Sequence, residues 1–145
     1  MAKRGCSRRR ELGRVRGADD AAAVVKQLIC DEHTEGQMVI GLDESLHACG
    51  VVFNCPCDRC GDVMIEDADG LADLAVALGA DDLVLVAFVT PDRLAPTAAD
   101  VARFEGLRVE CMDEEILLLD HLFFSGHRWR SVMEISAGRD ASTSW

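Results

Sequence analysis

The sequence of 145 residues lacks a long hydrophobic run, and we expect no export signal in it. The longest continuous apolar segment, Leu83 to Val89, is far too short to span a bilayer, so we expect no membrane insertion. Glu11 to Asp20, which follows the basic start of the chain, contains no apolar stretch of the kind that a signal peptide requires. The seven cysteines form an odd number, which favours reduced thiols over a disulfide framework. We therefore expect a cytoplasmic protein.

Basic side chains are scarce outside the N-terminal end. Seven of the 15 basic residues but one of the 26 acidic residues lie within residues 1–16. The acidic remainder is expected to repel a nucleic-acid backbone, so nucleic acid could be bound only through this basic segment. The segment contains no aromatic side chain that could stack on bases, which is typical of a solvated extension. Both interpretations of residues 1–16, a solvated tail and a phosphate-binding arm, stay open.

The hydrophobic content of 49% and the chain length predict one globular domain with a core that needs no metal or disulfide. No internal repeat is found. We expect a basic flexible tail at residues 1–18, a single domain at residues 19–135 and a flexible C-terminal tail at residues 136–145.

Hydrophobic periodicity predicts alternating helices and strands. In chain order the pattern predicts a helix (18–33), a hairpin of two strands (37–43 and 46–53), a brief strand (64–65), a helix that begins at Asp69 and ends at Gly79, a buried strand (83–89), a helix that begins at Thr97, a buried strand (116–124) and a half-covered strand (129–135). A strand that is apolar on both faces is typical of a sheet covered by helices on each side. The predicted fold class is therefore a three-layer α/β sandwich with a mixed sheet.

Three segments carry a more specific pattern. In the first segment, residues 35–43, Glu35 precedes an apolar strand that closes with Leu-Asp. The second, residues 87–100, reads Ala-Phe-Val, seven residues, Thr97, two residues and Asp100. The third, residues 118–131, begins with Leu-Leu-Asp-His and continues through a turn to a final Ser. In this order and at these separations, the segments resemble the RadC-like branch of the JAMM (MPN/JAB) metalloprotease fold over about residues 20–134. Residues 1–19, ahead of this region, do not match the helix-hairpin-helix region usual ahead of the domain in full-length RadC proteins.

The resemblance implies a cytidine deaminase-like core and a set of site positions. In JAMM enzymes a His-x-His pair and an Asp bind zinc, an upstream Glu is the general base, and a Ser helps to stabilise the oxyanion. By this resemblance Glu35 matches the base, Thr97 the serine and Asp100 the third ligand. Ala87 and Val89 replace the two histidines and cannot coordinate a metal.

We therefore expect a catalytically inactive relative without bound zinc. The resemblance implies a binding or accessory module for a protein or peptide partner, with a link to DNA repair.

The same residues also have structural interpretations. Thr97 and Asp100 form a helix-start pattern, in which a hydroxyl caps backbone N–H groups and an acid follows three residues later. Glu35 alone is typical of a solvated loop residue. His121, inside an apolar strand with no second ligand nearby in the sequence, is predicted to be a hydrogen-bonded core histidine. His127 is predicted to lie in an exposed turn and Trp129 to serve packing.

A cysteine-rich segment is the one place where the sequence offers a metal site. Cys55, Cys57 and Cys60 lie close after Cys49, and two cysteines separated by two residues can grip one zinc ion. A closed structural site needs four ligands, which Cys49 and Cys55 could complete. Because no second Cys-x-x-Cys pair exists, the alternative of reduced thiols without metal stays open.

The last pattern belongs to a different enzyme class. His33-Thr-Glu35 and the later Pro-Cys57-Asp-Arg-Cys60 match the residues of zinc-dependent deaminases, in which His and two Cys bind zinc and Glu moves protons. Both half-motifs should then begin helices, whereas here the first is predicted to end a helix and the second precedes a poor helix sequence. A hydrolase or deaminase with a relocated, cysteine-containing zinc site is thus the alternative function.

Overall fold

The structure is a computed structural model that describes residues 14–28, 36–54 and 67–137. Its elements are α1 (Ala18–Leu28), β1 (Gly36–Leu42), β2 (Ala48–Asn54), α2 (Ala68–Leu78), β3 (Asp82–Phe88), a 3-10 turn (Pro91–Arg93), α3 (Ala98–Asp113), β4 (Leu117–Ser125), β5 (Arg128–Ser131) and α4 (Val132–Ala137). Among these described residues, no helix is long and apolar enough to cross a membrane.

The five strands form one mixed sheet in the order β2-β1-β3-β4-β5. β3 and β4 are parallel, and α3 makes the crossover between them, as parallel pairing requires. The other three pairs are antiparallel, including the predicted hairpin of β1 and β2. The mixed α/β fold with a mixed sheet is therefore confirmed.

Helices cover both faces of the sheet, because side chains alternate along each strand. On one face, Val24 and Val25 of α1 join a core cluster with Ile40, Val86 and Leu122 of the central strands. The opposite face belongs to a second cluster, in which Leu71 of α2, Phe104 of α3 and Met133 of α4 pack with Val39, Leu85 and Leu118. The run Leu83 to Val86 of β3 is buried throughout, as its apolar sequence predicts.

α2 follows its predicted pattern except at its start. The expected cap was Asp69, but Asp67 is the N-cap: its side chain accepts a hydrogen bond from the Gly70 backbone N–H, and Asp69 lies in the first turn. Both acids suit a helix start, and the helix begins two residues earlier than periodicity alone indicates. Gly79 ends the helix with a φ of 68°, as predicted.

The predicted strand over 129–135 is wrong in its second half. β5 ends at Ser131 and α4 begins at Val132. The cause is a cap made by two buried polar residues: Ser131 Oγ accepts from the Glu134 backbone N–H at 3.2 Å, and Asp120 Oδ1 accepts from that of Met133 at 3.1 Å. These bonds satisfy N–H groups of a helix start and so stop the strand.

The residues just before α1 contact the hairpin. The backbone N–H of Val15 donates to the Leu46 carbonyl at 2.7 Å, and Arg14 Nε donates to the Ser45 carbonyl at 3.0 Å. Val15 is fully buried. The helix prediction over 29–33 and the brief strand over 64–65 lie outside the described residues.

Candidate functional site

A cleft opens between the sheet and α3, on the face that is opposite α1. Its floor is formed by Gln37 of β1, Leu85 and Val86 of β3, and His121 and Phe123 of β4. The strand register explains this grouping: Ala87 pairs with both Gln37 and Phe123, and Leu85 pairs with His121. The cleft holds about 520 Å³ of empty space, part of which is open to solvent.

The wall of the cleft is the first half of α3. Asp100, Arg103, Phe104 and Leu107 line it, at the i, i+3, i+4 and i+7 positions that share one helix face. Phe104 is buried and joins the core of this layer, so the helix is held rigidly against the sheet. The lining of the cleft thus combines apolar and polar side chains. Of its four polar residues, Asp100 and Arg103 lie on α3 and His121 lies on β4, which packs against α3.

Thr97 and Asp100 form a reciprocal capping box at the start of α3. Thr97 Oγ1 accepts from the Asp100 backbone N–H at 3.1 Å, and Asp100 Oδ2 accepts from the Thr97 backbone N–H at 2.9 Å and from Thr97 Oγ1 at 3.0 Å. Burial acts to raise the pKa of Asp100, but the two hydrogen bonds from Thr97, helped by the charge of Arg103, bring it below its usual value. The predicted helix start is confirmed.

Arg103 brings a positive charge to the same wall. Its Nη2 lies 3.5 Å from Asp100 Oδ1, a long contact that uses one of its five N–H donors. The Arg103 side chain is 68% exposed, whereas that of Asp100 is 18% exposed. The carboxylate is therefore committed to the helix start, and the guanidinium keeps most of its donors available.

His121 lies in the cleft, half-buried between aromatic rings. Its ring centroid is 5.0 Å from that of Phe123, in an edge contact, and 6.4 Å from that of Phe104. Burial lowers the pKa of His121 to about 4; the charge of Arg103 lowers it further and that of Asp100 acts in the opposite direction. The imidazole is therefore neutral at pH 7. The predicted hydrogen-bonded core histidine is thus only half-buried, and it lines the cleft.

A β-bulge explains the position of His121. Leu83 pairs with Leu118 but Val84 pairs with Asp120, so Leu119 is an extra residue on β4. Leu118 and His121 then share the α3 side although they are three residues apart, while Leu119 and Leu122 share the α1 side. Simple alternation from Leu118 would have turned His121 away from the cleft.

The positions matched to zinc ligands and catalytic groups are only partly brought together. Ala87 and Val89, in the places of the two histidines, pack partly buried against the α3-side core, and Asp100 lines the adjoining cleft. Glu35 and His33 lie outside the described residues, as do Cys55, Cys57 and Cys60. Within the described ranges, no group of three or more His, Cys, Asp and Glu side chains could hold a metal ion.

Cys49, the one described member of the cysteine segment, lies on β2. It is half-buried, and its Sγ donates to the Gly79 carbonyl at 3.5 Å. This contact ties β2 to the end of α2, and neither residue lines the cleft.

Other residues of the matched segments have structural roles. The buried Asp120 accepts from Ser131 Oγ at 2.6 Å in addition to its bond at the start of α4. Asp43 Oδ1 accepts from the backbone N–H groups of Ser45 and His47, at 2.9 and 3.0 Å, and so shapes the hairpin turn. His127 is exposed in a turn and Trp129 stacks on Phe124, both as predicted.

No protein-family model matches this chain, and no curated protein matches it. Two cleft residues, Gln37 and Arg103, were not anticipated by the sequence analysis. The signal for Arg103 is its i+3 spacing from Asp100. For Gln37 it is a polar side chain near the start of an otherwise apolar strand.

Proposed function

We propose that this chain is a RadC-like relative of the JAMM metalloproteases that has lost zinc hydrolysis and acts as a binding or accessory module. The single observation that carries the proposal is the state of the three matched ligand positions. Ala87 and Val89 offer hydrocarbon, and the Asp100 carboxylate is engaged by Thr97 and Arg103.

These residues do not fit a catalytic zinc ion. Such a site typically uses three protein ligands of nitrogen, sulfur or oxygen, and one carboxylate is left here. Thr97 donates two hydrogen bonds to Asp100 Oδ2 at the start of α3, and Arg103 Nη2 contacts Oδ1, so a zinc ion would compete with these contacts for the carboxylate.

The arrangement of elements supports the resemblance. An antiparallel hairpin, a helix, a buried strand, a crossover helix and a parallel strand follow one another, and the cleft lies beside the carboxyl end of β3 and the start of α3. That is the place where the matched segment 87–100 would put a JAMM active site. A binding module would keep this cleft while dispensing with the metal.

The first experiment measures the zinc content of the purified full chain after mild chelation, together with peptide and isopeptide hydrolysis. We expect no hydrolysis, and no zinc in a Cys57→Ser/Cys60→Ser variant, which removes the cysteine segment as a second source of metal. Stoichiometric zinc in that variant, or activity that Glu35→Gln abolishes, would contradict the proposal.

The second experiment restores the ligands. Ala87→His/Val89→His, made in the Cys57→Ser/Cys60→Ser background, should bind about one zinc ion per chain, because two imidazoles would then adjoin Asp100 on one face. Asp100→Asn in the same background is the matched control and should weaken zinc binding by at least about tenfold. If the restored variant folds but takes up no zinc, the assignment to the JAMM scaffold is wrong.

A further inference from the structure

The cleft combines an apolar floor with hydrogen-bond donors at its edge. Leu85, Phe104 and Phe123 line it with buried apolar side chains, and the rings of Phe123 and His121 meet edge to face. Around this surface stand Gln37, Arg103 and His121, from three different elements. Such a combination, with a few converging polar groups on an apolar base, is the usual make-up of a small-molecule site.

The charges in the cleft favour an anion over a cation. Asp100 is the one carboxylate among the residues that line it, and three hydrogen-bond contacts already occupy that group. The guanidinium of Arg103 is exposed and makes one long contact, so its remaining N–H donors are open to a ligand. An ammonium group would meet this positive charge and a carboxylate whose lone pairs are largely used.

The polar groups favour a single negative charge. Because the pKa of His121 is lowered to about 4, its imidazole is neutral at pH 7 and supplies one N–H donor without a charge. The Gln37 amide supplies two more donors. One fixed cation and neutral donors match a carboxylate, whereas a doubly charged phosphate would leave its second charge facing Asp100.

We propose that this cleft binds a small carboxylate that carries an apolar group, with the carboxylate held by Arg103 and the apolar group against the part of the cleft that Phe104 and Phe123 line. The inference rests on the proposed function, because it assigns a ligand class to the cleft that a lost zinc site would leave. The planar, forked guanidinium pairs with a carboxylate through two parallel N–H donors. Gln37 and His121 complete the ring of donors.

The test uses the full chain and benzoate as the probe, followed by amide NMR shifts. Benzoate should bind with a Kd of about 1–10 mM, in keeping with its size, and should shift the resonances of residues 100–107 and 121–123. Benzylamine, of the same shape but positively charged, should bind at least about tenfold more weakly, and phenyl phosphate should not bind more tightly than benzoate.

Two arginine variants make the test specific. Arg103→Gln should weaken benzoate binding about tenfold, because a charge-assisted hydrogen-bond pair is lost. Arg93→Gln, which changes an exposed arginine outside the cleft lining, should leave the Kd unchanged. An unchanged NMR spectrum elsewhere in Arg103→Gln shows that the fold is intact.

Three results would overturn the proposal: no binding of benzoate, tighter binding of benzylamine, or an unchanged Kd in Arg103→Gln. Each leaves the zinc experiments above unaffected, so failure of the ligand class is distinguishable from failure of the proposed function. The reverse outcome is also distinguishable. If benzoate binds with the expected variant effects but the protein shows zinc-dependent hydrolysis, only the proposed loss of catalysis is contradicted, and the ligand class stands.

Discussion

Asp120 is a buried carboxylate whose hydrogen bonds join the end of the sheet to a helix. Its side chain accepts three hydrogen bonds: from Ser131 Oγ at 2.6 Å, from the backbone N–H of His121 at 2.7 Å and from the backbone N–H of Met133 at 3.1 Å. A buried carboxylate persists only when it is satisfied in this way. The Asp and Ser of the third matched segment therefore stabilise the fold, and they do not need a catalytic role to explain their presence.

His121 should make the protein less stable as the pH falls from 6.5 to 4. The pKa of His121 is about 4 in the folded chain, mainly because burial disfavours the charged imidazole, whereas the usual value for an exposed histidine is 6.5. The unfolded chain therefore binds more protons in this window, and the free energy of unfolding decreases on acidification. Since the side chain keeps some exposure, we expect a loss of about 1–3 kcal/mol attributable to His121.

Urea unfolding at pH 7.0 and pH 4.5 checks this expectation. His121→Gln, which cannot be protonated, should lose less stability between the two pH values than the wild type does. His127→Gln is the matched control, because His127 is exposed, and it should follow the wild type. The pKa of Asp100 is lowered from 3.8, so its contribution is lost at lower pH, outside the window. Identical pH dependence in His121→Gln and the wild type would refute the assignment.

The start of α3 shows how one element serves both the fold and the cleft. Thr97 and Asp100 satisfy backbone N–H groups reciprocally, and the same helix turn carries Arg103 into the cleft. If Thr97 and Asp100 serve to cap α3, replacing either one should lower the free energy of unfolding even in a chain that performs no zinc chemistry.

Thr97→Ala should lower the free energy of unfolding by about 1 kcal/mol, because it removes the hydroxyl that caps α3. Thr90→Ala is the matched control: Thr90 precedes the 3-10 turn and makes no side-chain cap bond, although its hydroxyl donates to Asp92 Oδ1 at 2.6 Å. That exposed change should cost less than about 0.5 kcal/mol. Equal effects of the two variants in urea unfolding would show that the capping box contributes nothing specific.

The strands could be predicted from the sequence because their signals are local. The apolar run of β3 and the short link in the β1–β2 hairpin each determine an element within a few residues. The change from β5 to α4 could not be predicted, because it depends on Asp120, which lies eleven residues before Ser131 and meets it only in the folded sheet. The same limit applies to His121, whose direction is set by the bulge at Leu119.

At the scale of the whole molecule, the cleft is a product of tertiary packing. Gln37, Arg103 and His121 come from separate parts of the sequence, and only the pairing of β1, β3 and β4 under α3 brings them together. Asp100 of the matched segment lines the cleft, while the chemistry of the cleft depends on neighbours that no local pattern contains. The roles of Glu35, Cys55, Cys57 and Cys60 stay predictions, because these residues lie outside the described ones.

The uneven charge of the chain leads to a last prediction, about nucleic acid. Residues 1–13 hold five basic residues and one acidic residue, while the chain as a whole has a net charge of −11. We expect weak, sequence-independent binding of a DNA duplex by the full chain, with a slope of about −4.5 in log affinity against log salt for five phosphate contacts. A chain beginning at residue 14 should lose most of this affinity. This shortened chain keeps Val15 and the Arg14 contact to the Ser45 carbonyl, so we expect its fold to be preserved.

Fluorescence anisotropy at 50 and 200 mM salt measures the DNA affinity of both chains, with a full-length variant carrying Gln at the five basic positions as the control for length. DNA affinity that is the same in all three chains, or that does not respond to salt, would rule out a role for the basic segment, since the acidic body offers phosphate no comparable attraction.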